Sequence, residues 1–183
     1  MTLGIEGLSP LTFVFLLLLS IASVIDLRSH RIPNLLTACI LALGLGWHIA
    51  VHGLSGLQVS VLGTITGLIV FLPFYVKKVM GAGDVKLMAA VGSFVGVPQI
   101  FGAVCATLIC GGLFALIVFA VHGGIADFLT RYYRMLRTFS GTFQWVYEPA
   151  PAVSTATRKF PYAIAIASGT FLSLYFAETL TVI

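Results

Sequence analysis

Charge is what this sequence has least of. Only 9% of its 183 residues are Asp, Glu, Lys or Arg, against about 25% in soluble domains. Its hydrophobic fraction is 59% and its mean hydropathy +1.08. A chain so poor in charge would aggregate in water. That excludes a soluble globular enzyme and predicts a polytopic membrane protein. Cysteine is scarce too: Cys39, Cys105 and Cys110 all lie in apolar runs. Without a CxxC pair or a histidine cluster, neither a zinc site nor a disulfide framework is expected. The cysteines read as small packing residues, and no metal or cofactor is predicted. No basic residue precedes the first apolar run, from Leu11 to Ile25. That argues against a cleavable signal peptide and for a first membrane helix. Internal repeats and low-complexity segments are also missing.

What is present is a series of apolar segments, at about 10–25, 35–52, 57–76, 86–121 and 161–182. A spanning helix needs roughly 20 residues, so 86–121 is too long for one pass. Gly96-Val97-Pro98 offers a break, dividing it into 86–96 and 98–121. The short first half would reach only about 16 Å. Charge supports the division. The connections 26–34, 77–86 and 122–160 then hold all ten basic residues of the chain. The positive-inside rule places those three connections in the cytoplasm and both termini outside. The net charge of +4 therefore reads as topology and not as nucleic-acid binding. The expected fold is all-α, with six transmembrane helices in one membrane-embedded domain over 1–183.

The connection 122–160 is more than a linker. Over 126–139, Phe128, Tyr132, Met135, Leu136 and Phe139 fall on one side of a helix. Asp127, Arg131, Arg134 and Thr138 fall on the other. A basic amphipathic helix beside membrane spans predicts a cytoplasmic surface helix lying on the lipid bilayer. The rest of the connection, with Pro149 and Pro151, reads as irregular.

Six carboxylates remain to be placed. Glu6, Asp127, Glu148 and Glu178 suit solvated positions. Asp26, in SVIDLRSHRIPNLLT, ends the first apolar run, and Asp84, in MGAGDVKLM, stands just before the short fourth segment. Both fall at cytoplasmic ends and could share one depth. A carboxylate near hydrocarbon is costly and marks a pair or a function. Pairing would join Asp26 to Arg28 or Arg31, and Asp84 to Lys86. Function would join the aspartates to each other: like-charge repulsion keeps one protonated and leaves the other ionised. The ionised group can then activate water against a peptide carbonyl while the protonated one supports the oxyanion. Gly81 and Gly83 would admit backbone conformations and close approaches that an extended substrate needs. Lys86 would play a supporting electrostatic role, offsetting Asp84, meeting an acidic substrate residue or snorkelling to head groups. Pro33 and Asn34 would shape and cap the turn into helix two. His30 reads as solvated, and His48, His52 and His122 as interfacial.

GAGDVKLMAAVG resembles the GxGD signature of the type IV prepilin peptidases, a family of membrane-embedded aspartic proteases. DLRSHRIPN resembles that family's first motif, and KFPYAIAIASG is similar to its Pro-[Phe/Tyr] opening of the final helix. The length is most like the short branch serving Flp-type, tight-adherence pili. The resemblance implies that Asp26 and Asp84 are the catalytic pair. It implies a substrate, a pilin precursor with a short basic leader cut after a glycine, and residence in the bacterial inner membrane, with pilus-assembly machinery as a further partner. The N-terminal cytoplasmic domain of the long enzymes, with its paired CxxC motifs, is not expected, nor is methylation of the new N-terminus. The basic cytoplasmic face gives no account of how a basic leader is recognised.

Two other functions fit parts of the pattern. An ion-coupled transporter would relay ions through Asp26 and Asp84, but should show repeats or broken helices meeting at the midplane. A non-catalytic assembly factor of a pilus or secretion machine would dock through the surface helix and tolerate loss of either aspartate.

Overall fold

A computed structural model of the chain describes residues 10–121, 130, 133, 137 and 161–181. The secondary structure found there is helical, in five elements: α1 (Pro10–Ser29), α2 (Asn34–Val76), α3 (Ala82–Val95), α4 (Gln99–Val121) and α5 (Ala163–Thr181). Two compact units divide the chain, residues 1–111 with 161–183 and residues 112–160. The surface helix expected over 126–139 lies outside the described residues except at Thr130, Tyr133 and Arg137, which are helical.

The count of six spans is not supported. Among the described residues three helices are long and apolar enough to cross a membrane: Pro10–Ser29, Asn34–Val76 and Gln99–Val118. The physical reasons lie in α3 and α5. The two segments expected at 35–52 and 57–76 correspond to the two arms of α2, which meet at Gly53. The α3 helix has 14 residues, a rise of about 21 Å against a hydrocarbon core of about 30 Å. The described apolar part of α5, Ala163–Ala177, is also short of a full span. The break foreseen at Gly96-Val97-Pro98 is present between α3 and α4, and Gly96 takes a left-handed φ of 70°.

Gly53 has φ 60° and ψ −137°, a conformation that side chains disfavour. There the chain doubles back. Gly56 lies against the carbonyl of His48, and Gly44 and Gly63, on opposite arms, both abut the Gly92–Ser93 turn of α3. The result is a helical hairpin that grips α3 along two sides. Accordingly α3 is the most buried element, with Asp84, Val85, Leu87 to Val91, Gly92 and Ser93 inside. Hydroxyls tie the three pieces together. Ser60 Oγ donates to the Ser93 carbonyl at 2.6 Å, and Ser93 Oγ to the carbonyls of Ala90 and Leu41. With little hydrophobic gain between helices in lipid, small residues and such hydrogen bonds supply the association. The lipid-facing sides carry large apolar residues instead, such as Leu54, Leu62, Ile69, Leu116 and Phe171.

Gly63 and Gly92 form the closest approach. A Cβ on either would collide with the carbonyl oxygen of the other, so the hairpin and α3 touch backbone to backbone. Gly92→Ala should therefore destabilise the purified protein by about 1–3 kcal/mol, the range for overpacking a dense core. Gly46, on the same hairpin, has nothing within 4 Å of the corresponding point, and Gly46→Ala should stay within about 0.5 kcal/mol. Denaturant or thermal unfolding of the two variants in detergent checks this. Equal stabilities would mean that the close approach does not hold the hairpin to α3.

Candidate active site

The site lies where α1, α3 and α5 meet. Asp26 falls within the last turns of α1, which continues past the expected end at Ile25 to Ser29. Its carboxylate is 6% exposed, and its Oδ2 accepts the backbone N–H of Ala163 at 3.2 Å. Ala163 is the first residue of α5, and first-turn amides of a helix have no partner within it. Asp26 thus caps α5 from another helix, 137 residues away in sequence. Ser23, one turn earlier on α1, donates its Oγ to the Ala163 carbonyl at 3.1 Å. Two hydrogen bonds pin the start of α5 to one face of α1.

Asp84 is not in a loop before its helix, as its sequence position suggests. It is the third residue of α3, and it is 8% exposed. Its Oδ2 accepts the N–H of Gly81 at 3.0 Å, and its own N–H donates to the Gly81 carbonyl at 3.2 Å. Burial pushes the Asp84 carboxyl up to about 6. The Gly81 N–H favours the carboxylate and opposes that rise, while the negative charge of Asp26 adds to it. The structure thus brings the two aspartates within electrostatic reach of each other, in surroundings that raise the Asp84 carboxyl.

Neither Gly81 nor Gly83 uses a backbone conformation closed to other residues. Gly81 is extended (φ −77°, ψ 156°) and Gly83 lies in the first turn of α3. Their value is space. A Cβ on Gly81 would stand 3.4 Å from Asp84 Oδ2, and one on Gly83 would stand 3.3 Å from the Ile32 side chain. The room at Gly83 is filled by the chain's own His30–Pro33 connection, which begins where His30 N–H closes on the Asp26 carbonyl at 2.8 Å.

Lys86 makes a contact that the sequence did not suggest. Its Nζ donates to Asn34 Oδ1 at 2.9 Å. Asn34 is therefore not a cap: Pro33 occupies the N-cap position of α2, and Asn34 is the first helical residue. The pair links the start of α2 to the first turns of α3, near the aspartates but exposed. Among the described residues no three of His, Cys, Asp and Glu form a group that could hold a metal ion.

Sequence reasoning missed the contribution of α5. Tyr162, just before it, lies edge-on to Phe71 with ring centroids 6.4 Å apart, and its hydroxyl end fills the space left by the absent side chain of Gly111. Burial raises the Tyr162 phenol above its usual range, and the nearby charges of Asp84 and then Cys110 add to the shift. The Pro-Tyr pair was visible in KFPYAIAIASG, but as the opening of a helix, with nothing local to say that the next residue bonds Asp26.

No curated protein and no solved structure matches the chain. A family model does: that of the type IV leader peptidase family matches residues 13–116. The matched stretch is more than half of the 183 residues and carries both aspartate motifs, DLRSHRIPN and GAGD. With two buried carboxylates in electrostatic contact on helices inside that stretch, the chain belongs to the type IV leader peptidase family.

Proposed function

We propose that the protein is an aspartic endopeptidase that removes the short basic leader of Flp-type prepilins. The observation that carries this reading is the unequal pair of buried aspartates. Asp26 accepts an amide at the N-terminus of α5, supplied by another helix. Asp84 is held towards its acid form. In the proposed reaction, ionised Asp26 takes a proton from water as the oxygen attacks the scissile carbonyl carbon. Protonated Asp84 donates a hydrogen bond to the carbonyl oxygen as it becomes an oxyanion. Collapse of the tetrahedral intermediate breaks the C–N bond, and the proton held by Asp26 passes to the departing amine. The leader leaves with a new carboxyl terminus and the pilin with a new amino terminus.

The proposed setting is the cytoplasmic face of a bacterial inner membrane. Because α2 doubles back at Gly53, its two ends lie on one side, together with the end of α1 and the start of α3. Arg28, Arg31, Lys77, Lys78 and Lys86 belong to that side, which the positive-inside rule assigns to the cytoplasm. Asp26 and Asp84 share it, and a leader peptide that stays in the cytoplasm would meet them there. In this reading Lys86, held by Asn34, supports the site electrostatically and takes no part in proton transfer. Gly81 keeps the rim beside Asp84 low enough for an extended backbone.

Two outcomes are expected. In membranes containing a co-expressed Flp-type prepilin, the wild-type protein cuts after the glycine that ends the leader. Asp26→Asn and Asp84→Asn, accumulating equally, each lose at least about a thousandfold in rate, since one amide cannot serve as base nor the other share the proton. Gel shift and mass spectrometry of the new N-terminus read this out, and wild-type-like cutting by either variant would remove the two-aspartate mechanism. The second outcome concerns pH. A carboxyl raised to about 6 is protonated below that value and charged above it. Because Asp84 acts in its acid form, kcat/KM should fall as pH rises, along an alkaline limb within about a unit of pH 6. A profile flat from pH 5 to 8 would contradict the assignment of the proton to Asp84.

A further inference from the structure

The start of α5 contributes to both halves of the site, yet it lies beyond residues 13–116, the stretch that matches the family model. Three contacts define its placement. The Ala163 N–H donates to Asp26 Oδ2 at 3.2 Å, the Ala163 carbonyl accepts from Ser23 Oγ at 3.1 Å, and Ala163 itself is fully buried. Tyr162 is wedged between Phe71 on α2 and Gly111 on α4. The charge of Asp84 adds to the rise that burial imposes on its phenol.

We propose that Ala163, through its backbone amide, is a positioning residue that makes the start of α5 a third element of the active site. The amide fixes one oxygen of the Asp26 carboxyl group. The charged and titratable groups facing Asp84 are Asp26 from α1 and Tyr162 from the start of α5, with Cys110 of α4 behind the tyrosine. Lys86, one half-turn along α3, is turned to Asn34. The closing of the site thus depends on α5 being docked on α1, and Ser23 reinforces that docking without touching either aspartate's carboxyl.

This inference rests on the peptidase reading for its purpose, but its test does not depend on cleavage. Infrared spectra of the protein in lipid nanodiscs give carboxyl-group bands, assigned to Asp26 by their loss in Asp26→Asn. For Ala163 the variant is Ala163→Pro, which deletes the amide donor where proline is well tolerated, at the first helical position. The carboxylate bands assigned by Asp26→Asn should shift in Ala163→Pro and not in Ala163→Gly, which keeps the amide. With a prepilin as substrate, Ala163→Pro should lose about tenfold to a hundredfold in kcat at near-constant KM, as for a lost hydrogen bond to a charged group, and Ala163→Gly should recover most of it. An unmoved Asp26 band in Ala163→Pro overturns the assignment whether or not the protein cuts. If the bands move as stated while the wild-type protein cuts no prepilin, the proposed reaction fails and the positioning role stands.

Discussion

Two buried carboxyl groups within electrostatic reach of each other are the constraint on which the rest of the structure depends. A buried carboxylate is costly unless hydrogen-bonded, and two of them repel. The fold answers with helix N-termini, the one place where backbone N–H groups lack partners and the dipole favours negative charge. Asp26 takes the first amide of α5. Asp84 takes the amide of Gly81, at the start of its own helix. The two solutions are not equivalent. Asp26 is capped by a separate helix, whereas Asp84 relies on a local turn and lies under burial that outweighs the hydrogen bond.

Holding α3 in place is the second requirement, because Asp84 goes where α3 goes. The fourteen residues of that helix are enclosed by the hairpin of α2, and the contact is made close by glycine against glycine at Gly63 and Gly92. Hydroxyls at Ser60 and Ser93 satisfy carbonyls across the same seam. A short helix inside longer ones also explains why the chain does not present six equal apolar crossings. The element carrying the signature aspartate is supported by protein on most sides, and the longer helices meet the lipid.

Much of this was legible in the sequence. Hydropathy and charge scarcity pointed to apolar helices, Gly96-Val97-Pro98 to the end of α3, and the two aspartate stretches to the family. Other features were misread for identifiable reasons. A chain reversal at one glycine looks the same in hydropathy as a short loop, so residues 53–56 were expected as a loop, whereas helix runs up to Gly53 and resumes directly after it. Apolar periodicity starts only after the polar Gly-Asp stretch, so Asp84 was expected before α3 and not within its first turn. Asn34 carries a capping side chain, but proline stands ahead of it, and Lys86 arrives from 52 residues away to use that side chain instead.

The sequence by itself determined what is local: helices from apolar runs, breaks from glycine and proline, and the presence of two carboxylates beside hydrocarbon, whose cost demands partners. Tertiary structure alone decided what those partners are. The amide that meets Asp26 comes from 137 residues further along the chain. Any first-turn amide could have met Asp26, because every helix start offers the same unpaired groups. Only the docking of α5 on α1, through Ser23 and Ala163, selects the one that does.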